Sequence, residues 1–168
     1  MLGSFRCGRN PDIETYLKTK AVTHEKLNIS RTYLIMDDEF NILAYFTLLI
    51  KPIMLNDLSR AKRKEIASHL EIRTDSATGY LLGQFGKNDL FKSEISGQVM
   101  WDYAYNIILR CHINVGLRFV YLECENVQGL IHSYHDKGFE ILRHNDENGF
   151  VLMIKMIDDR DAYAVLNQ

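Results

Sequence analysis

Apolar residues recur along this chain with two different periods, and the switches between them mark its elements. After Asn10-Pro11-Asp12, the residues Ile13, Tyr16, Leu17 and Ala21 follow the three-and-four spacing of a helix face, with proline in the first turn. Thr32-Tyr33-Leu34-Ile35-Met36 and the near-continuous apolar run from Ile42 to Ile50 read as two strands. Between them lie Asp37-Asp38-Glu39 and Phe40-Asn41, which predicts a hairpin, covered on both faces and stopped at Pro52. Residues 51–76 break the regularity and read as an insertion between strands. Residues 59–70 within it form a helix whose apolar side is Ile66, Ala67 and Leu70. A strand at residues 79–86 follows. From Ser96-Gly97 the positions Val99, Met100, Tyr103, Ala104, Ile107, Ile108 and Cys111 then trace a core-facing helical stripe. Gly116, a strand at 117–122, a helix at 127–137 stopped by Gly138, and strands at 139–142 and 150–154 joined by residues 145–149 complete the order. That order predicts an α/β fold, a mixed central sheet with helices on both faces.

Composition narrows the picture. The length of 168 residues fits one domain spanning 1–168, and a hydrophobic content of 46% is enough to bury a core. Twenty Lys and Arg against 22 Asp and Glu leave a net charge of −2, which excludes a nucleic-acid binder whose whole surface is basic but leaves room for a local patch. The one concentrated positive patch is Arg60, Lys62, Arg63 and Lys64 in the helix of the insertion. Cys7, Cys111 and Cys124 are widely spaced and suggest neither a disulfide framework nor a metal site, so reduced thiols and no metal are expected. No apolar segment follows Met1 as in a signal peptide, and the longest apolar run is about half the roughly 20 residues of a membrane span. A cytoplasmic protein without membrane association is the expectation.

Candidate chemistry gathers where a strand runs into a helix. The loop 89–96 carries Lys92 and delivers the chain to a helix opening at Gly97, the kind of junction whose free N–H groups receive an anion such as a phosphate. Glu123 and Glu125 flank Cys124 near the end of a strand, where alternation turns both carboxylates to one face. Either is a candidate general base. His112 and His132 are isolated on helices, and Cys124 has no histidine at a spacing that marks a nucleophile.

Leu81-Leu82-Gly83-Gln84-Phe85-Gly86-Lys87-Asn88 resembles the fourth strand of the GNAT N-acetyltransferase superfamily, written L-L-G-R-L-A-V-D. Counting on without a gap, Lys92 takes the first position of that family's Q/R-x-x-G-x-G/A segment, Ile95 its first glycine and Gly97 its last. Tyr134-His135-Asp136-Lys137-Gly138-Phe139 matches the Y-E-K-x-G-F segment in the spacing of Tyr, Gly and Phe, and Asn126 resembles the asparagine before that helix. Phe5-Arg6-Cys7-Gly8, with Ile13, Tyr16-Leu17, Ala21 and Arg31-Thr32-Tyr33, is similar to a pattern frequent in a bacterial branch of that family that includes the toxins acetylating aminoacyl-tRNA.

The resemblance implies acetyl-CoA as cosubstrate and direct acetyl transfer to an amine. Its pyrophosphate would rest on the backbone of Lys92, Ser93, Glu94, Ile95, Ser96, Gly97 and Gln98, and its pantetheine arm would pair with Phe85, Gly86 and Lys87 between splayed strands. Tyr134 would be the general acid to the departing sulfur, as a phenol near pKa ~10 suits a thiol near ~8.5. Ile95 departs from the pattern by placing a β-branched side chain at a close-approach position, and it is expected to weaken cofactor binding unless the loop binds through backbone alone. Arg60, Lys62, Arg63 and Lys64 would suit tRNA as acceptor, and a homodimer or an antitoxin partner would follow from the toxin-like branch. Two alternatives stay open: a small-molecule or protein amine acetyltransferase of the same fold, and a non-catalytic binding module.

Overall fold

The computed structural model describes residues 2–68, 74–145 and 149–166. Its elements run α1 (Pro11–Thr19), α2 (Ala21–Lys26), β1 (Arg31–Met36), β2 (Ile42–Met54), α3 (Arg60–Ala67), β3 (Ser76–Lys87), α4 (Gly97–Val115), β4 (Phe119–Glu125), α5 (Gln128–His135), β5 (Glu140–Asn145), β6 (Phe150–Met156) and α6 (Asp159–Leu166). The sheet order is β1-β2-β3-β4-β6-β5. β1 and β2 form an antiparallel hairpin, β3 and β4 are parallel at Tyr80↔Val120 and Leu81↔Tyr121, and β6 is antiparallel to both β4 and β5. The mixed sheet expected from the order of elements is therefore present.

The chain divides into two compact units, Met1–Leu49 with Leu82–Tyr105, and Ile50–Leu81 with Asn106–Gln168. In the first, Phe5, Cys7, Leu17, Ala21, Ile42 and Tyr45 form a buried cluster. The Phe5 ring meets the Tyr45 ring edge-on at 5.2 Å, and the Tyr45 hydroxyl donates to the Ile13 carbonyl at 2.5 Å. The Phe5-x-Cys7-Gly8 motif thus anchors packing. In the second unit Ile53, Leu55, Ile66, Ala67, Phe119, Tyr121, Leu152 and Ile154 form the core. The segment read as an insertion supplies half of that cluster.

Several sequence expectations need correction. β2 does not stop at Pro52 but continues to Met54. Pairing with β1 ends at Leu48, so the strand beyond is unpaired on that side and tolerates a residue without an N–H. β1 is only half-buried because it is an edge strand, whereas β2 is buried from Ala44 to Leu48. The buried positions of α4 are Met100, Trp101, Ala104, Ile108 and Leu109, while Val99 and Tyr103 are exposed. Both flanks of that helix are apolar, so periodicity left its rotation ambiguous. α3 ends at Ala67, where Ser68 takes φ +71°, and the expected continuation to Leu70 lies outside the described residues, as does most of the 145–149 connection. α6 was not expected at all.

Candidate active site

In the first unit a buried asparagine shapes the loop before α4. Asn88 is fully buried. Its side-chain oxygen accepts from the N–H groups of Arg6 (3.1 Å) and Leu90 (3.2 Å), and its amide donates to the Ile42 carbonyl at 2.7 Å. Buried polar groups are held where every hydrogen bond is met, so this bracket fixes the end of β3 against the N-terminal segment and β2. Asp89 then accepts from Gly8 N–H at 2.7 Å and from the Lys92 ammonium at 3.3 Å, and both contacts hold its carboxyl below the usual range. Lys87, half-buried, donates from its ammonium to the carbonyls of Lys92 (3.0 Å) and Ile95 (3.2 Å). Two carbonyls of the loop are thereby turned toward Lys87.

The loop then enters α4 with its donors available. Ser96 caps the helix, its hydroxyl accepting from Val99 N–H at 3.1 Å. Helix geometry leaves the N–H groups of Gly97 and Gln98 without intrahelical partners. A Cβ on Gly97 would meet no protein atom within 4 Å, so the fold leaves open space there for a ligand to approach the backbone. Lys92, Ser93, Glu94, Ser96 and Gln98 are exposed around it. Ile95 is the exception: its side chain is 6% exposed and packs with Ala44 and Met100, beside Phe85 and Leu43. The β-branched group points into the core rather than toward the backbone donors, which removes the steric objection to an anion at this loop. Gly86 is explained by packing, since a Cβ there would lie 2.6 Å from Ile13 of α1.

In the second unit β4 carries Glu123 and Glu125 exposed on one face with Cys124 buried between them, as alternation predicts. Burial, with Glu125 adding to it, pushes the Cys124 thiol up to about 11, which leaves almost no thiolate near neutrality and argues against a nucleophilic role. Asn126 is exposed, its N–H donating to the Gly149 carbonyl at 3.1 Å. Tyr134 lies on α5, buried, with its ring edge-on to Phe139 at 5.8 Å. Burial raises its hydroxyl well above the ordinary value, so it is protonated throughout the neutral range.

The Tyr-Gly-Phe spacing has a local cause. Gly138 adopts φ +86°, which L side chains rarely take, and Phe139 N–H returns to the Tyr134 carbonyl at 3.1 Å. The glycine turns the chain so that Phe139 folds back on Tyr134. His132 is exposed and 3.7 Å from Asp136, and His112 bridges the Leu117 carbonyl (2.8 Å) and Asp159 (3.1 Å). Among the described residues no cluster of His, Cys, Asp and Glu could hold a metal ion, and no helix is long and apolar enough to cross a membrane.

The basic helix α3 divides into two sets. Lys62 is paired with Glu65 and Glu140, and Arg63 with Asp75 and the Thr74 carbonyl. Arg60 and Lys64 are exposed and carry no ion pair among the described residues. Sequence reasoning missed Asn88, whose importance lies in burial, and the side-chain role of Lys87, which needs the loop to fold back upon it.

No family model and no curated protein sequence matches the chain. Solved structures do. AtaT complexed with acetyl-methionyl-tRNAfMet has a TM-score of 0.73 at 19% identity, covering 99% of this chain and 92% of its own. A tyrosine-to-phenylalanine mutant of the AtaT toxin, bound to the C-terminus of the antitoxin AtaR and acetyl-CoA, has a TM-score of 0.70 at 16% identity, with coverages of 99% and 91%. A further bacterial toxin has a TM-score of 0.77 at 16% identity, with coverages of 99% and 88%. At such identities the likeness is one of fold, and over nearly its whole length this chain has the fold of these toxins, in keeping with the GNAT-like sheet that its strand and loop motifs resemble.

Proposed function

We propose that this protein is an acetyl-CoA-dependent N-acetyltransferase whose acceptor is the α-amine of an aminoacyl-tRNA, the whole chain acting as one transferase domain in the cytoplasm. The observation that carries the reading is the loop before α4. Its Ile95 side chain is buried, its carbonyls of Lys92 and Ile95 are occupied by Lys87, and open space lies over Gly97. That arrangement suits the pyrophosphate of coenzyme A, received by backbone N–H groups at a helix N-terminus with Lys92 adding a point charge. Phe85 and Lys87 would offer backbone to the pantetheine amides. The fold shared with AtaT, solved with acetyl-methionyl-tRNA and with acetyl-CoA, favours this acceptor over a small amine. An antitoxin partner or a second copy of the chain is part of the same reading.

In the transfer the neutral amine attacks the thioester carbonyl, an N–C bond forms and the C–S bond breaks. The amine proton leaves through water to Glu123 or Glu125, both exposed on β4. Tyr134 gives its proton to the departing sulfur. Because its burial disfavours a free phenolate, its proton moves only as charge develops on sulfur and is restored from solvent.

The test is incubation with labelled acetyl-CoA and a pool of aminoacyl-tRNA. Label should appear as acetylated aminoacyl-tRNA; label found only in protein or small amines removes the acceptor, and no heat of acetyl-CoA binding removes the enzyme. Tyr134→Phe should lower kcat by about 10²–10⁴-fold with little change in acetyl-CoA affinity, the range expected for a general acid. A fully active variant would end the acid role.

A further inference from the structure

A groove of about 540 Å³ lies in the second unit, outside the residues assigned above to the cofactor and the chemistry. Lys64, Glu65 and Ser68 from α3 and its end form one wall, and Arg118, Met156 and Ile157 the other. Its charges are sorted. Glu65 is ion-paired with the Lys62 ammonium at 3.0 Å, a cation that Glu140 shares. Lys62 and Arg63 are consumed by carboxylates, as is Arg143 by Asp57 at 2.9 Å. Lys64 and Arg118, both exposed, have no carboxylate partner among the described residues. The Arg118 guanidinium makes one long bond, 3.4 Å, to the Glu65 carbonyl. Arg60 lies one helical turn before Lys64 on the same face of α3. Among the described residues, Lys64 and Arg118 are thus two cations without a carboxylate partner over an apolar floor of Met156 and Ile157, in a chain whose net charge is −2.

The position of the groove says what kind of ligand uses it. Arg118 immediately precedes β4, and Glu125 ends it. Seven residues at ~3.3 Å each separate the groove from the Glu125 end by about 23 Å. A small amine reacting at that end cannot reach Lys64 and Arg118. A polynucleotide can.

We propose that this groove is a remote anchor for the sugar–phosphate backbone of RNA, with phosphates on Lys64 and Arg118 and the ribose or base over Met156 and Ile157. This rests on the reading of aminoacyl-tRNA as acceptor and specifies how the protein would hold it. Such contacts position the nucleic acid without reading its sequence. Binding energy realised equally in ground and transition states enters KM and not kcat.

The experiment compares the protein with the Lys64→Ala, Arg118→Ala double variant. Both side chains are exposed and make no ion pair among the described residues, so the thermal midpoint should not move. Acetyl transfer to full-length aminoacyl-tRNA should show KM raised about tenfold, kcat unchanged and a salt slope shallower by about two, one per lost phosphate contact. A short aminoacyl-ended oligonucleotide, unable to span the distance, should be indifferent to the substitutions. Arg160→Ala removes a cation already paired with Asp158 and should leave every value in place. Unchanged KM and salt slope in the double variant would overturn the proposal, and so would an equal loss in Arg160→Ala, which would signal bulk charge. If no aminoacyl-tRNA is acetylated at all, the acceptor reading fails by itself. Fluorescence anisotropy with uncharged tRNA then judges the groove: weaker binding by the double variant upholds it, while equal binding, or none by the wild type, overturns it.

Discussion

One ammonium group shapes the loop before α4. Lys87 occupies the carbonyls of Lys92 and Ile95, at 3.0 and 3.2 Å, while Ile95 is drawn into the cluster of Ala44 and Met100. Fixing the carbonyls on one side turns the adjoining peptide N–H groups away from it, the preorganisation an anion site needs. Replacing Lys87 by Met should lower acetyl-CoA affinity about tenfold, in line with the ~1.5–3 kcal/mol of hydrogen bonds from a charged donor. Calorimetry measures it, and unchanged affinity would show that the loop holds its shape without the lysine. Lys87 and Ile95 were visible in the sequence as a strand residue and a missing glycine. Their actual roles were not, because each depends on where a side chain is directed once the loop has folded.

At the scale of elements, α4 shows how far periodicity reaches. The spacing from Met100 through Ala104 to Ile108 marks a buried line, and those residues are 1%, 0% and 0% exposed. Val99 and Tyr103 on one flank are as apolar as Trp101 and Leu109 on the other, and only packing selects the second flank. Trp101, 3% exposed, stacks on Tyr105 at a centroid distance of 5.0 Å. Trp101→Ala should therefore destabilise the protein by roughly 3–5 kcal/mol. Tyr103→Ala should change stability by no more than about 0.5 kcal/mol. Urea denaturation reads both, and equal losses would mean the helix is rotated toward Val99. β2 makes the same point: Pro52 reads as a stop, yet the strand continues, its pairing with β1 having already ended at Leu48.

For the whole molecule, the titrating groups set a stability plateau with two edges. The carboxyls of Glu14, Asp37 and Asp89 are held below their ordinary values chiefly by hydrogen bonds from Lys18, Asn41 and the Gly8 N–H, and Asp158 is lowered to about 2 by Arg160. Stability from such groups is complete above the unfolded value near ~4 and is lost as pH falls through the folded one. Burial raises Tyr80 and Tyr121 to about 12. Their contribution is complete below ~10 and is lost as pH rises toward about 12. Tyrosinate absorbance should thus rise in two steps, the later one coinciding with loss of circular dichroism. A single step near pH ~10 with the fold intact would contradict it. The sequence by itself determined the order of the six strands and of α1, α3, α4 and α5 among them, the Phe5-Cys7 and Tyr134-Gly138-Phe139 spacings and the balance of charge, because these follow from local periodicity, from turns that demand glycine and from composition. Only the tertiary structure decided that Ile95 faces inward, that Asn88 brackets the loop, and that Lys62 and Arg63 are neutralised while Lys64 joins Arg118 across a groove. Burial and ion pairing depend on residues far apart in the chain, and no local pattern records which of them meet.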